Sequence, residues 1–64
     1  MKFSVPEMSC SHCTASIEKS IKAKDPAAAV STDLETRSVS VDSILPSADV
    51  LQAITDAGYD AKLA

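Results

Sequence analysis

Met8-Ser9-Cys10-Ser11-His12-Cys13 holds both cysteines of the chain and its one histidine. Upstream, Met1, Phe3 and Val5 alternate with Lys2 and Ser4, the period of two of a half-buried strand. Downstream, Cys13, Ile17 and Ile21 recur every four residues, while Glu18, Lys19, Lys22 and Lys24 keep the other side polar. That is the pattern of an amphipathic helix. The only chemically soft pair of side chains therefore sits at a strand-to-helix turn.

The elements follow outward from this point. Pro6 cannot donate to a ladder, so the first strand stops there or runs at an edge, and Glu7 to Ser11 reads as a loop. The helix is expected from Ser11 or His12 to Ala23, with Ser11 as its N-cap. Lys22 and Lys24 suit the negative end of the helix dipole, and Pro26 disfavours helical geometry at Asp25. Ala28, Val30, Thr32 and Leu34 then alternate with Ala29, Ser31 and Asp33, which predicts a strand over Ala28 to Asp33. A turn through Leu34-Glu35-Thr36-Arg37 leads to Val39 and Val41, alternating with Ser38, Ser40 and Asp42. These two strands make an antiparallel hairpin. After Ser43-Ile44-Leu45-Pro46, Ser47 reads as the N-cap of a second helix carrying Val50, Leu51, Ile54 and Ala57, with Gly58 ending it. Tyr59, Ala61 and Leu63 alternate with Asp60 and Lys62 as a last short strand.

The order β-α-β-β-α-β predicts an α+β, ferredoxin-like fold: a four-stranded antiparallel sheet with both helices on one face. Residues 1–64 read as a single domain. Phe3 and Tyr59 are the only aromatic residues, so Ile, Val, Leu and Ala must build a thin core. The formal net charge of −3 argues against a nucleic-acid binder. Nothing approaches the ~18 apolar residues of a membrane span, and the start of the chain lacks the apolar run of a signal peptide. A cytoplasmic location is expected. Thiols stay reduced there, which makes a lone cysteine pair metal-binding or redox-active rather than structural.

One cysteine in a loop and one on a first helical turn can aim both sulfurs at one point. The amides and partial positive charge of a helix N-terminus favour thiolates. Structural zinc wants four ligands, more than two cysteines and one histidine supply. Thiolates are soft and suit Cu(I), and a two-thiolate site keeps open sides through which another protein's thiolate could take the ion. Two other readings share these residues: a small dithiol redox protein, and a carrier of another soft ion, Zn²⁺, Cd²⁺ or Hg²⁺. No Ser, His and Asp spacing suggests a hydrolytic triad, and Gly58 is the only glycine, so there is no phosphate loop. The chain is not expected to be an enzyme.

Met8-x-Cys10-x-x-Cys13, between the first strand and helix of a β-α-β-β-α-β chain, resembles the heavy-metal-associated (HMA) domain. Gly58-Tyr59 before the last strand supports the resemblance, since bacterial members carry a tyrosine beside the metal loop. Small members of that family are cytosolic copper chaperones of the Atx1-like, CopZ type. The resemblance implies Cu(I) on Cys10 and Cys13. It implies exchange with a copper-transporting P-type ATPase, at its metal-binding domain or where copper enters the membrane. Ser9 stands where zinc-type members often carry an acidic residue, which favours copper.

The neighbouring residues have plainer readings beside the functional ones. Met8 could offer a thioether to copper, but more often such a residue fills the core beneath a loop. His12 could be a third ligand, above all in a copper-bridged homodimer, or could point to solvent. Tyr59 could lie behind the ligands, bonding near a thiolate, or sit on the rim. The lysines of the first helix could steer an acidic partner or form a solvated face.

Overall fold

A computed structural model describes residues 1–64. Phe3, Val39 and Val41, which the period of two puts on one sheet face, share a single core with Ile17 and Ile21 of one helix and Val50, Ala53 and Ile54 of the other. Both helices therefore cover the same face of the sheet. The elements are β1 (Lys2–Ser4), α1 (Ser11–Lys24), β2 (Ala29–Asp33), β3 (Ser38–Asp42), α2 (Ser47–Asp56) and β4 (Lys62–Leu63). The sheet order is β2-β3-β1-β4, with every pairing antiparallel. The expected α+β, ferredoxin-like architecture is the one observed.

Register explains which side chains are inside. Phe3 lies opposite Val39, Val39 opposite Thr32, and Val41 opposite Val30, all toward the helices. Their neighbours Ser4, Ser38, Ser40 and Ser31 fall in the intervening rows, on the outer face. The antiparallel sheet thus keeps one apolar and one polar face.

Three expectations about element ends need correction. Cys10, not Ser11, holds the N-cap position of α1, with extended φ −149° and ψ 168°. Its carbonyl accepts from the amides of Cys13 (3.1 Å) and Thr14 (3.3 Å). Pro46 likewise replaces Ser47 as the N-cap of α2, its carbonyl accepting from Asp49 and Val50. The last strand is only Lys62–Leu63. Tyr59 is spent on closing α2: the Gly58 amide bonds to Thr55 O (2.9 Å) and the Tyr59 amide to Ile54 O (3.4 Å). This pair of bonds is the Schellman motif, and Gly58 supplies its left-handed residue at φ +95°. Leu63 lies opposite Phe3, on the same face of the sheet, yet is 60% exposed on this edge strand.

At the end of the molecule away from the cysteines, α1 stops where the residue before Pro26 must be extended. That residue, Asp25, is only 9% exposed. Its carboxylate accepts from Ser43 Oγ at 2.6 Å and from the Ala27 amide at 3.1 Å, tying the α1–β2 connection to the β3–α2 connection. Ser43 above all, then the backbone amides of Ala27 and Ile44, hold the Asp25 carboxyl below its usual 3.8 against the opposing effect of burial. A carboxyl lowered on folding stabilises the fold above its unfolded pKa, and that contribution is lost as pH falls through the folded value. Ser43→Ala should therefore melt below the parent at pH 7, and the gap should close as the pH is taken well below 3.8. Thermal unfolding followed by circular dichroism across that range checks this.

Candidate metal centre

The site begins with how the chain leaves β1. Val5 is buried, Pro6 and Glu7 turn, and the Met8 amide bonds back to Val5 O at 3.0 Å. Met8 then buries its whole side chain in the core. Ser9 and Cys10 return to the surface, and α1 starts at once. Arg37, in the β2–β3 turn, reaches across to this segment: its Nη1 donates to Pro6 O at 3.0 Å.

The two thiols are free and 3.2 Å apart, sulfur to sulfur. Cys10 is exposed and Cys13 half-buried against the core. The spacing accounts for the meeting: a side chain at the cap and one on the first turn, three residues on, lie on the same face of the helix start. The Cys13 thiol is lowered from the usual 9.0 to about 7. The chief cause is a hydrogen bond from the Tyr59 side chain, followed by the Ser9 backbone and the Cys10 thiol, with burial opposing. The same bond raises Tyr59 above its usual 10.0, with smaller contributions from burial and from the charges of Cys13, Cys10 and Glu7. A phenol that donates to a thiolate gives up its own proton less readily.

The structure brings the Cys10 and Cys13 sulfurs together, with Tyr59 acting on the Cys13 thiol, and does not bring in Met8 or His12. Met8 points into the core, which favours its packing role. His12 is exposed on the first turn, and no three His, Cys, Asp or Glu side chains converge anywhere in the chain. A third ligand would have to come from another molecule or from a movement of His12. Lys22 and Lys24 lie at the far end of α1 and do not border the site. Helix α1 runs away from the loop, so Lys22 lies roughly 13 Å along the axis from Cys13 at 1.5 Å per residue. Lys22 also pairs with Glu18 (3.1 Å) and Lys24 with Asp56 (3.8 Å), exposed pairs of small energetic value. Two surface hollows, about 440 and 290 Å³, lie against the outer sheet face and beside Asp25, and neither touches a cysteine. The dithiol is an open corner and not a recess. No helix is long and apolar enough to cross a membrane.

Comparison with known proteins agrees with this geometry. The family model of the heavy-metal-associated domain matches residues 2–60. No curated protein sequence matches the chain. Among solved structures, the copper chaperone Atx1 from Synechocystis PCC6803 (Cu2 form) is similar at 27% identity, with TM-score 0.94 over 97% of this chain and 98% of that one. A gold binding protein is 32% identical with TM-score 0.92, over 97% and 95%. A CopZ metallochaperone is 29% identical with TM-score 0.87, over 97% of each chain.

Two outcomes follow from the site. Alkylation of Cys13 by iodoacetamide should rise with pH around a midpoint near 7, and Tyr59→Phe should move that midpoint up; mass spectrometry of the modified peptides reads both. Met8→Leu, which conserves volume, should cost under about 1.5 kcal/mol and leave metal binding intact. Met8→Ala should cost about 2–5 kcal/mol of stability in denaturant titrations.

Proposed function

The chain belongs to the heavy-metal-associated domain family, and from that premise we propose that it is a cytoplasmic Cu(I) carrier and not an enzyme. The observation that supports this best is the exposed pair of sulfurs 3.2 Å apart at the start of α1. On this reading Cys10 and Cys13 are the copper ligands, and residues 1–64 act as one unit. Soft thiolates favour a soft monovalent ion, and two of them leave its sides open. Copper and gold, named for the similar proteins, both form such ions.

Transfer then proceeds by ligand exchange. An incoming thiolate bonds to the ion while one of the chain's own sulfurs lets go, and the second follows. Copper keeps its oxidation state throughout, and each released thiolate regains a proton from solvent. The acceptor or donor is a copper-transporting P-type ATPase, at a metal-binding domain of this same fold or where copper enters the membrane. A second copy of the chain could meet the first through the same open side, giving a copper-bridged homodimer in which His12 supplies a further ligand.

The test is competition for Cu(I) between reduced protein and bicinchoninate. Cys10→Ser and Cys13→Ser should each lower affinity by more than the about 10–100-fold that loss of an outer-shell partner costs, and the double variant should hold no copper. Variants that compete as well as the parent would place the ion elsewhere. Reduction of insulin faster than by free dithiothreitol would instead favour a redox dithiol. Stronger retention of Zn²⁺, Cd²⁺ or Hg²⁺ than of Cu(I) would change the cargo.

A further inference from the structure

We propose that Arg37 is a positioning residue for the dithiol: from the β2–β3 turn it holds the approach to Cys10 and Cys13 in place without touching either sulfur. What the loop is positioned for rests on the copper-carrier reading; the contact itself stands on geometry.

The first observation is where the ladder runs out. Strands β1 and β3 pair as far as Ser4 opposite Ser38, and one more bond follows, the Val5 amide to Arg37 O at 2.8 Å. Pro6 has no amide hydrogen, so backbone pairing stops there. The Arg37 guanidinium takes over, with Nη1 donating to the Pro6 carbonyl at 3.0 Å. One residue thus grips two successive residues of the loop, one through its carbonyl and one through its side chain.

The second observation is the backbone of Arg37 itself. Its φ is +54°, the left-handed region that strains a residue bearing a Cβ and that glycine adopts freely. At this position, backbone comfort asks for no side chain, while the loop opposite uses one. Stability and loop order can therefore be separated by substitution.

The third observation is how short the restrained segment is. The turn at Pro6 and Glu7 closes through the Met8 amide to Val5 O, Met8 is buried, and only Ser9 separates it from Cys10. Only Glu7, Met8 and Ser9 separate the Pro6 carbonyl from Cys10, so the Arg37 contact restrains the loop on the strand side of the Met8 anchor and adds to the order that the anchor imposes. A preorganised ligand pair binds more tightly because less ordering remains to be done on binding.

The experiment compares Arg37→Gly, Arg37→Met and Arg37→Lys with the parent in the full chain. It measures thermal unfolding, amide hydrogen exchange at Glu7, Met8 and Ser9, and Cu(I) affinity against bicinchoninate. Arg37→Gly should melt at or above the parent temperature, yet exchange faster in the loop and bind Cu(I) about two- to tenfold more weakly, the range of one net hydrogen bond. Arg37→Met should show the same loss without the gain in stability, and Arg37→Lys should recover part of the affinity. Unchanged loop exchange in the glycine variant would overturn the clamp. Faster exchange with unchanged copper affinity would overturn the positioning role. A parent that fails to hold Cu(I) overturns the carrier reading instead, and the exchange comparison then decides the clamp alone.

Discussion

Burial of Met8 is the constraint on which the cysteine end of the molecule depends. Between exposed Glu7 and exposed Ser9, one side chain with no residual exposure dives into the core. Fully burying such a side chain is worth about 1.5–3 kcal/mol, against about 0.5–1.5 for a typical net hydrogen bond. The turn bond from Met8 to Val5 and the reach of Arg37 refine the path of the loop, but the apolar anchor decides where it goes. Because α1 begins three residues beyond Met8, fixing that anchor also fixes the helix start. The sulfurs can then be exposed and ordered together, two properties that oppose each other in an unanchored loop.

The electrostatics of the pair follow from the same economy of parts. A thiolate can be favoured by a nearby cation or by hydrogen-bond donors. Here the donors are the Tyr59 side chain, the Ser9 backbone and the neighbouring thiol, and none of them carries a positive charge. Lys22 and Lys24 lie in the last turn of α1 and pair with acids. Neutral donors stabilise the thiolate without adding a charge that would repel an incoming metal cation. Tyr59 takes this place because α2 closes in a Schellman motif, so Gly58, with no chemistry of its own, sets where a phenol meets the first helix.

Much of this was legible in the sequence, and the failures are instructive. Periodicity placed all six elements in order, because a sheet with one buried face and helices with one buried stripe leave their period in the residues. The Cys10 and Cys13 pair was legible because three-residue spacing at a helix start admits one geometry. The caps were not. Serine is the better N-cap by propensity, yet Cys10 and Pro46 hold those positions, with no side-chain cap bond at either. The last strand was read too long because Tyr59, Ala61 and Leu63 alternate, while the backbone at Tyr59 belongs to the closure of α2. Arg37 left no sequence signal at all; an arginine in a polar turn reads as solvated until the loop opposite is seen.

The two ends of the fold divide the work. At one, Asp25 and Ser43 lock two connections together, and the buried core residues of α1, Ile17 and Ile21, lie between that lock and the cysteines. At the other, the sulfurs differ: Cys13 leans on the core and Tyr59, while Cys10 stands at a cap with no side-chain bond beyond its partner sulfur. In an exchange of the kind proposed, the less restrained ligand is the one that can swing away while the other keeps hold. That motion asks for rotation about the Cys10 side-chain bonds and for nothing from the core. On that reading, an ion is exchanged at this corner without loosening the core, Ile17 and Met8 included, that Cys13 packs against.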